Sequence, residues 1–436
     1  MEGEVTLKYY TYSFLDFGFS LLGLILFLVD FVLDIYAVVN FYQEGDFIYL
    51  GLLVTFLVGS SVLGQLFSWF WYRYEDWETR TSTEGSVSKR VLQVLHIFQL
   101  GVYIRYAGVL EVAVRSFCCS KKKGESENVA VYLSHDLSML RLFEAFSESA
   151  PQLVLMLTIM LQTGNWQDPV TALKALGSAM AIACSVTLYH RSLRSFLTEK
   201  AKQGSVSSVL YFSCNLLLIF PRLAALALFA YAQPCYIFAH FLCCWAVLFF
   251  LAWRCGTKFM DSSAGEWLYR ATVGLIWYFS WFNVSEGRSV YRGVLYHAWM
   301  LVDLLLLCGL AFWKTHSAPG ITGGGVLSPD TVAVMGGVIV AVYVSGLLVK
   351  VLYYQCFHPK LVKASTAAKK PLQLAAAAGD FTDGGDEDPD LCDHYIEVDS
   401  TEPPPVEVLT WGAEEVERVR KPVNRRMQHL AQNFYS

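Results

Sequence analysis

The residues from Phe14 to Phe41 are FLDFGFSLLGLILFLVDFVLDIYAVVNF, an apolar run longer than the roughly 20 residues needed to cross the hydrocarbon core of a bilayer. A basic leader and a small-residue cleavage site are both missing, so we expect a retained membrane helix. The run also contains Asp16, Asp30 and Asp34, each of which costs on the order of 3 kcal/mol near the bilayer centre. It therefore predicts a membrane protein with polar groups inside the membrane.

The composition of the whole chain agrees with this location. Of 436 residues, 55% are hydrophobic and 16% are charged, whereas soluble domains are about 45–50% apolar and about 25% charged. These values exclude a soluble enzyme, a collagen-like chain and a wholly disordered chain. The net charge of -5 disfavours nucleic acid as a partner. Eleven irregularly spaced cysteines resemble neither a disulfide framework nor a zinc site.

Seven further apolar runs have spanning length, which predicts eight crossings in all. They are Phe47 to Trp71, Val131 to Leu161, Val170 to Tyr189, Val206 to Tyr231, Cys235 to Trp253, Val294 to Trp313 and Val332 to Cys356. Two interrupted stretches, Val91 to Arg115 and Leu268 to Val284, are predicted to be re-entrant or interfacial helices. The predicted fold class is an all-α polytopic membrane protein with eight transmembrane helices plus two re-entrant or interfacial helices.

Basic residues predict the orientation and the domain organisation. The connections on the side of the N-terminus carry nearly all of the loop lysines and arginines, whereas the opposite connections hold one lysine between them. This bias predicts that both termini are cytoplasmic. We expect a transmembrane domain over residues 1–358, a disordered acidic linker over 359–405 and a C-terminal regulatory tail over 406–436.

The charges inside the predicted spans point to a function. At 100 degrees per residue, Asp16, Asp30 and Asp34 form one stripe about 27 Å long. Full pairing needs equal numbers of both signs, and acids outnumber bases here. The alternatives are groups that pair to fix helix register, or a polar path for ions, protons, a solute or a phospholipid head group.

Later spans repeat the pattern. Arg141, Glu144 and Glu148 share one helical face and precede Pro151, which is expected to kink the helix. Arg222 follows Pro221 in the fifth span, and Asp303 lies in the seventh.

The chain lacks the motifs that would supply energy or chemistry. It has no nucleotide-binding motif, so any transport is passive or ion-coupled. The histidines His96, His135, His190, His240 and His297 lie singly in different segments, so neither a metal site nor a cofactor is predicted. No hydrolytic nucleophile with a plausible base is found.

Three segments resemble signature segments of the XK-related family, named for the Kell blood-group partner protein XK. They are MLRLFEAFSESAPQ from Met139, EWLYR from Glu266 and YFSWFNVSEG from Tyr278. The resemblance extends from about Phe14 to His358 and includes QLFSW from Gln65, while NRRMQHLAQ from Asn424 is most similar to the member eight subgroup.

The resemblance implies a fold of eight spanning helices and two further helices that dip in from the cytoplasm. It also implies a function, that of an energy-independent phospholipid scramblase of the plasma membrane that exposes phosphatidylserine in apoptosis. It implies a single-pass chaperone of the basigin or neuroplastin type as partner, and dimerisation after cleavage. Relatives commonly carry an acid where this chain has Leu188. The implied lipid pathway consists of Asp16, Asp30, Asp34, Glu144, Glu148, Arg222 and Asp303.

The tail carries a match to a caspase site. Ile396, Glu397, Val398 and Asp399 precede Ser400, which places an acid before the bond and a small residue after it. An acidic, proline-flanked linker suits binding of an extended strand by a protease. We expect cleavage after Asp399 to activate the protein; Asp390 is a poorer candidate because the bulky Leu391 follows it. Two other interpretations stay open: a passive or ion-coupled transporter, and a non-catalytic membrane partner of another protein.

Overall fold

In this computed structural model of the protein, the described residues are 14–74, 81–118, 123–164, 169–196, 203–284, 289–317 and 327–357. They form α-helices and two π-helical turns without any strand, so the predicted all-α class is confirmed. The α-helices are α1 (Phe14–Glu44), α2 (Phe47–Tyr74), α3 (Ser82–Ser86), α4 (Lys89–Ile97), α5 (Gly101–Cys118), α6 (Lys123–Glu144), α7 (Ala150–Thr163), α8 (Pro169–Phe196), α9 (Ser205–Ala232), α10 (Tyr236–Arg254), α11 (Ser263–Phe279), α12 (Ser289–Ser317) and α13 (Pro329–Leu352). The π turns are Ala145–Ser149, between α6 and α7, and Tyr353–Phe357, after α13.

Six segments among the described residues are long and apolar enough to cross a membrane, and they lie in α1, α2, α9, α10, α12 and α13. The chain is therefore a multi-pass membrane protein. The other two predicted spans, Val131 to Leu161 and Val170 to Tyr189, correspond to α6 with α7 and to α8. For these two the prediction of a crossing stays a prediction.

Helix α9 is the central helix of the bundle. It packs against α7, α8, α10, α11, α12 and α13, and it carries a long row of buried side chains. Its closest neighbour is α13, because Gly346 lies where an added Cβ would be 2.9 Å from the carbonyl oxygen of Leu217. A small residue at that point lets two helix backbones meet, as is common between membrane helices.

The stretch from Val91 to Arg115, predicted to be one interrupted helix, is two helices. The chain leaves α4 after Ile97, Gln99 adopts a left-handed backbone with φ of 63°, and α5 begins at Gly101. A positive φ cannot continue a right-handed helix, so the break is local to Gln99. The second interrupted stretch, Leu268 to Val284, corresponds to α11, which ends at Phe279.

Polar contacts hold this hairpin of α4 and α5 against α2. The His96 Nε2 atom lies 3.0 Å from Ser68 Oγ, and Arg105 Nε donates to the same oxygen at 3.1 Å. Burial lowers the pKa of His96; the hydrogen bond to the Leu92 carbonyl opposes this shift and the Arg105 charge reinforces it. A neutral ring then donates from Nδ1 to Leu92 and accepts from Ser68, which satisfies both nitrogens.

The signature residue Glu266 anchors the loop that joins α10 to α11. Its carboxylate accepts hydrogen bonds from the backbone nitrogens of Phe259 and Met260, at 2.9 and 2.7 Å. The Thr257 hydroxyl donates to it at 2.5 Å, and Arg270 Nε lies 3.5 Å away. One buried carboxylate thus satisfies several donors of an irregular segment, which predicts a structural role for this signature.

We expect Glu266→Ala to destabilise the protein by about 2–3 kcal/mol, because it leaves buried backbone donors without an acceptor. The measurement is the thermal unfolding midpoint of the purified protein in detergent. The matched control is Asp261→Ala, which removes an exposed acid from the same loop. Equal midpoints for the two variants would contradict the anchoring role.

Candidate functional site

The structure divides the predicted pathway residues into two groups. Asp30, Asp34, Glu144 and Glu148 meet Arg141 where α1 faces α6 and the first π turn, and we call these five residues the acidic cluster. Arg222 and Asp303 form a second group with His240 and Tyr278, which we call the ion-pair network. The side chain of Asp16, also predicted to belong to the pathway, lies outside the described residues.

The acids of α1 lie on its protein-facing side. Asp34 is 7% exposed, whereas its apolar neighbours Leu33 and Ile35 are 52% and 50% exposed. This is the reverse of a helix in water, and it follows from a lipid environment in which apolar side chains face outward and charged ones face the bundle. Asp34 therefore faces the interior of the protein, which the sequence had left open.

Hydrogen bonds connect the α1 acids to the π turn and α7. Ser149 Oγ donates to Asp30 Oδ2 at 3.2 Å. The Asp34 carboxyl group lies beside the side chains of Glu148 and Gln152. Two acids therefore stand side by side, and their mutual repulsion away from water makes ionisation of both costly.

The acidic cluster contains one guanidinium group, that of Arg141. Arg141 Nη1 donates to Glu144 at 2.6 Å, and the Arg141 charge also attracts Asp30. Four carboxyl groups therefore face one cation within the described residues. The remaining carboxyls need protons, water or a cationic ligand, because unpaired charge in a medium of low dielectric is expensive.

The π turn explains how α6 and α7 place these groups. Pro151 lies in the first turn of α7 and cannot donate a backbone hydrogen bond to the preceding turn. In the widened turn, Ser147 Oγ donates to the Phe143 carbonyl oxygen at 2.8 Å and lies 2.9 Å from Ser60 Oγ of α2. The helix axis was predicted to kink at Pro151, and the structure shows a widened turn just before it, a feature frequent at functional sites.

The ion-pair network is balanced in charge, with one guanidinium and one carboxylate. Arg222 is fully buried, donates from Nη1 to Asp303 Oδ2 and donates from Nε to the Tyr278 carbonyl oxygen at 3.1 Å. His240 Nε2 lies 3.1 Å from Asp303 Oδ1, and His240 Nδ1 lies 3.0 Å from the Tyr278 hydroxyl. These contacts connect α9, α10, α11 and α12 through polar groups alone.

Sequence reasoning missed several members of both groups. His240 was predicted to be solitary, yet His240, Cys244 and Asp303 bring three metal-ligand atoms within 4.8 Å of one another. The spacing of four between His240 and Cys244, one turn of helix, was the only signal in the sequence. Gln152 and Ser149 were missed because their partners come from α1, which is distant in sequence.

Leu188, at the position where an acid was expected from the resemblance, packs on α1. Its Cδ1 atom lies 3.6 Å from the point that a Cβ on Gly23 would occupy. An apolar contact between α1 and α8 therefore takes the place of a charge at this level.

Comparison with known proteins agrees with the sequence signatures. The family model described as XK-related protein matches residues 18–359. XK-related protein 8 of Tetraodon nigroviridis is 41% identical over 432 residues, which cover 98% of this chain and 98% of the relative. XK-related protein 8 of Gasterosteus aculeatus is 45% identical over 83% of this chain and 87% of its own length, and that of Pan troglodytes is 35% identical over 96% and 94%.

We expect Arg141→Gln to destabilise the protein by about 3 kcal/mol, because removal of one partner leaves the Glu144 carboxylate without its cation. The double variant Arg141→Gln with Glu144→Gln should recover much of this loss. Thermal unfolding of the wild type, both single variants and the double variant measures the coupling. Additive effects would show that the Arg141–Glu144 pair does not contribute to stability.

Proposed function

The chain belongs to the XK-related family, which includes phospholipid scramblases, and we propose that it is an energy-independent scramblase that exposes phosphatidylserine at the plasma membrane of apoptotic cells. The observation that supports this proposal most directly is the excess of carboxyl groups in the acidic cluster. A purely structural set of charges would pair one to one, as the ion-pair network does.

The cluster has the chemistry to receive a phospholipid head group. The barrier to lipid exchange is the loss of water around the charged head group. Carboxylates at Asp30 and Glu144 offer partners for an ammonium group, and Arg141 offers a partner for phosphate. The acyl chains remain in the hydrocarbon core of the bilayer, beside the exposed apolar side chains of α1.

Such a path needs no energy source. Each head group exchanges water for fixed protein charges and then regains water on the other side, so the free-energy change over the whole transfer is set by the two leaflets alone. Asp30 and Asp34 are one helical turn apart and provide successive contacts along α1. We assign Asp16 to the same path because it belongs to the same stripe on α1. Arg222 and Asp303 are also proposed pathway residues, and their role is to hold the helices around the path.

Activation is proposed to follow cleavage after Asp399. Residues Ile396 to Ser400 lie outside the described residues, so this part rests on the sequence of the tail. Cleavage would release Ser400 to Ser436, whose basic end is suited to dock on the cytoplasmic face and hold the protein inactive. The proposal includes a single-pass chaperone of the basigin or neuroplastin type and dimerisation after cleavage.

Protein truncated after Asp399 and reconstituted in liposomes should move fluorescent phospholipid between leaflets without nucleotide. The double variant Asp30→Asn with Glu144→Gln should slow this transfer by about tenfold or more, because each charge-assisted hydrogen bond is worth about 1.5–3 kcal/mol. A dithionite-quenching assay measures the rate, and size-exclusion chromatography verifies the fold.

The matched control for this assay is Asp46→Asn, an exposed acid between α1 and α2 that lies outside the acidic cluster. If the truncated protein moves no lipid, either alone or with a co-purified chaperone, the scramblase proposal is refuted. Proton-coupled solute uptake or a current across liposomes of fixed lipid composition would favour a transporter instead.

In cells, Asp399→Ala should abolish the increase in annexin binding that follows an apoptotic stimulus, because the bond after residue 399 would no longer suit a caspase. The experiment compares knockout cells that express the wild type, Asp399→Ala or the control Asp390→Ala at equal surface levels. Annexin binding of the Asp399→Ala cells equal to that of the wild type would disprove the cleavage step while leaving the liposome result intact.

A further inference from the structure

Three side chains with metal-ligating atoms converge between α10 and α12. His240 and Cys244 lie one turn apart on α10, and Asp303 approaches them from α12. The His240 Nε2 atom is 3.1 Å from Asp303 Oδ1 and 3.5 Å from Cys244 Sγ. The three ligand atoms therefore surround one point from two helices.

The two separations from His240 Nε2 are close to the edges of a tetrahedral zinc site, and all three ligand atoms lie within 4.8 Å of one another. Zinc binds imidazole nitrogen and carboxylate oxygen at about 2.0–2.2 Å and thiolate sulfur at about 2.3 Å, so nitrogen and oxygen ligands are about 3.3 Å apart and nitrogen and sulfur ligands about 3.5 Å apart. A small outward shift of Asp303 would bring its separation from His240 to that of a zinc site.

Surrounding groups hold two of the three ligands in position. The Tyr278 hydroxyl lies 3.0 Å from His240 Nδ1 and fixes the ring with Nε2 toward the cluster. Arg222 Nη1 binds Asp303 Oδ2, which leaves Oδ1 for the shared point. Outer contacts of this kind orient the ligands in natural zinc sites.

Arg222 supplies a further observation beside this cluster. Its side chain is fully buried, yet its Nη2 atom has no hydrogen-bond partner among the described residues. Buried guanidinium donors are seldom left unpaired. An anion or water in the fourth position of a metal site beside Asp303 would provide an acceptor in this region.

We propose that His240 Nε2, Cys244 Sγ and Asp303 Oδ1 form a zinc site that clamps α10 to α12 and leaves a fourth position open. Thiolate and imidazole together select zinc over magnesium and calcium, which prefer oxygen ligands. With three protein ligands, the fourth position of a tetrahedral zinc ion is left for water or an anion. Zinc binding at this site is independent of the proposed lipid transfer and of the proposed cleavage after Asp399.

The test uses purified full-length protein in nanodiscs, stripped with a chelator, incubated with zinc chloride and desalted. Mass spectrometry of the metal should find one zinc ion per chain in the wild type. Cys244→Ser and His240→Gln should lose most of it. Cys243→Ser is the matched control, because Cys243 is the adjacent, exposed thiol and should leave zinc retention unchanged.

Two further measurements separate a built site from loose binding. Tyr278→Phe should keep the ion but weaken its affinity about 10- to 100-fold, as expected for a residue that positions a ligand. Zinc should also raise the thermal unfolding midpoint of the wild type and not that of Cys244→Ser, because only the folded site binds the ion.

Absence of zinc from the wild type, or equal zinc in Cys244→Ser and the wild type, would overturn the proposal. Size-exclusion elution at the wild-type volume shows which variants are folded. If His240→Gln aggregates, the conservative Cys244→Ser variant decides the question.

Discussion

The cost of placing a carboxyl group in hydrocarbon is the constraint on which the rest of this structure depends. An acid at the bilayer centre costs about 3 kcal/mol even on insertion scales, and α1 carries acids at both Asp30 and Asp34. The helix is stable in lipid only if those acids face protein. The turn at Ala145–Ser149, the serines beside it and the Arg141 guanidinium are the groups that receive them.

The two polar groups inside the bundle differ in charge balance, and this difference suggests different roles. The ion-pair network matches one guanidinium with one carboxylate; Arg222 also donates to the Tyr278 carbonyl oxygen, and Asp303 contacts His240. The acidic cluster has more carboxyl groups than cations, and two of those carboxyl groups, Asp34 and Glu148, lie side by side. A balanced network suits the joining of helices, whereas an unbalanced one retains capacity for a cationic ligand such as a lipid ammonium group.

Much of the fold was predictable because membranes restrict the options. Long apolar runs with no water to satisfy their backbones must be helices, so the positions of α1, α2, α9, α10, α12 and α13 follow closely from hydropathy. The break at Gln99 was not predictable, because a single left-handed residue leaves no mark on apolar composition. The widened turn before Pro151 was anticipated only as a kink, since proline disturbs a helix without determining how the register is recovered.

The amino-acid sequence by itself determined the membrane location, the helical class, the face of α1 that carries acids and the family signatures. Helical periodicity and hydrophobicity are local properties, so a single chain segment contains them in full. Only the tertiary structure decided which polar groups meet. Asp34 lies beside Glu148, Arg222 forms an ion pair with Asp303, and His240 lies close to both Cys244 and Asp303. Those partnerships depend on how helices distant in sequence pack at close range, and that packing is a property of the whole bundle rather than of any one segment.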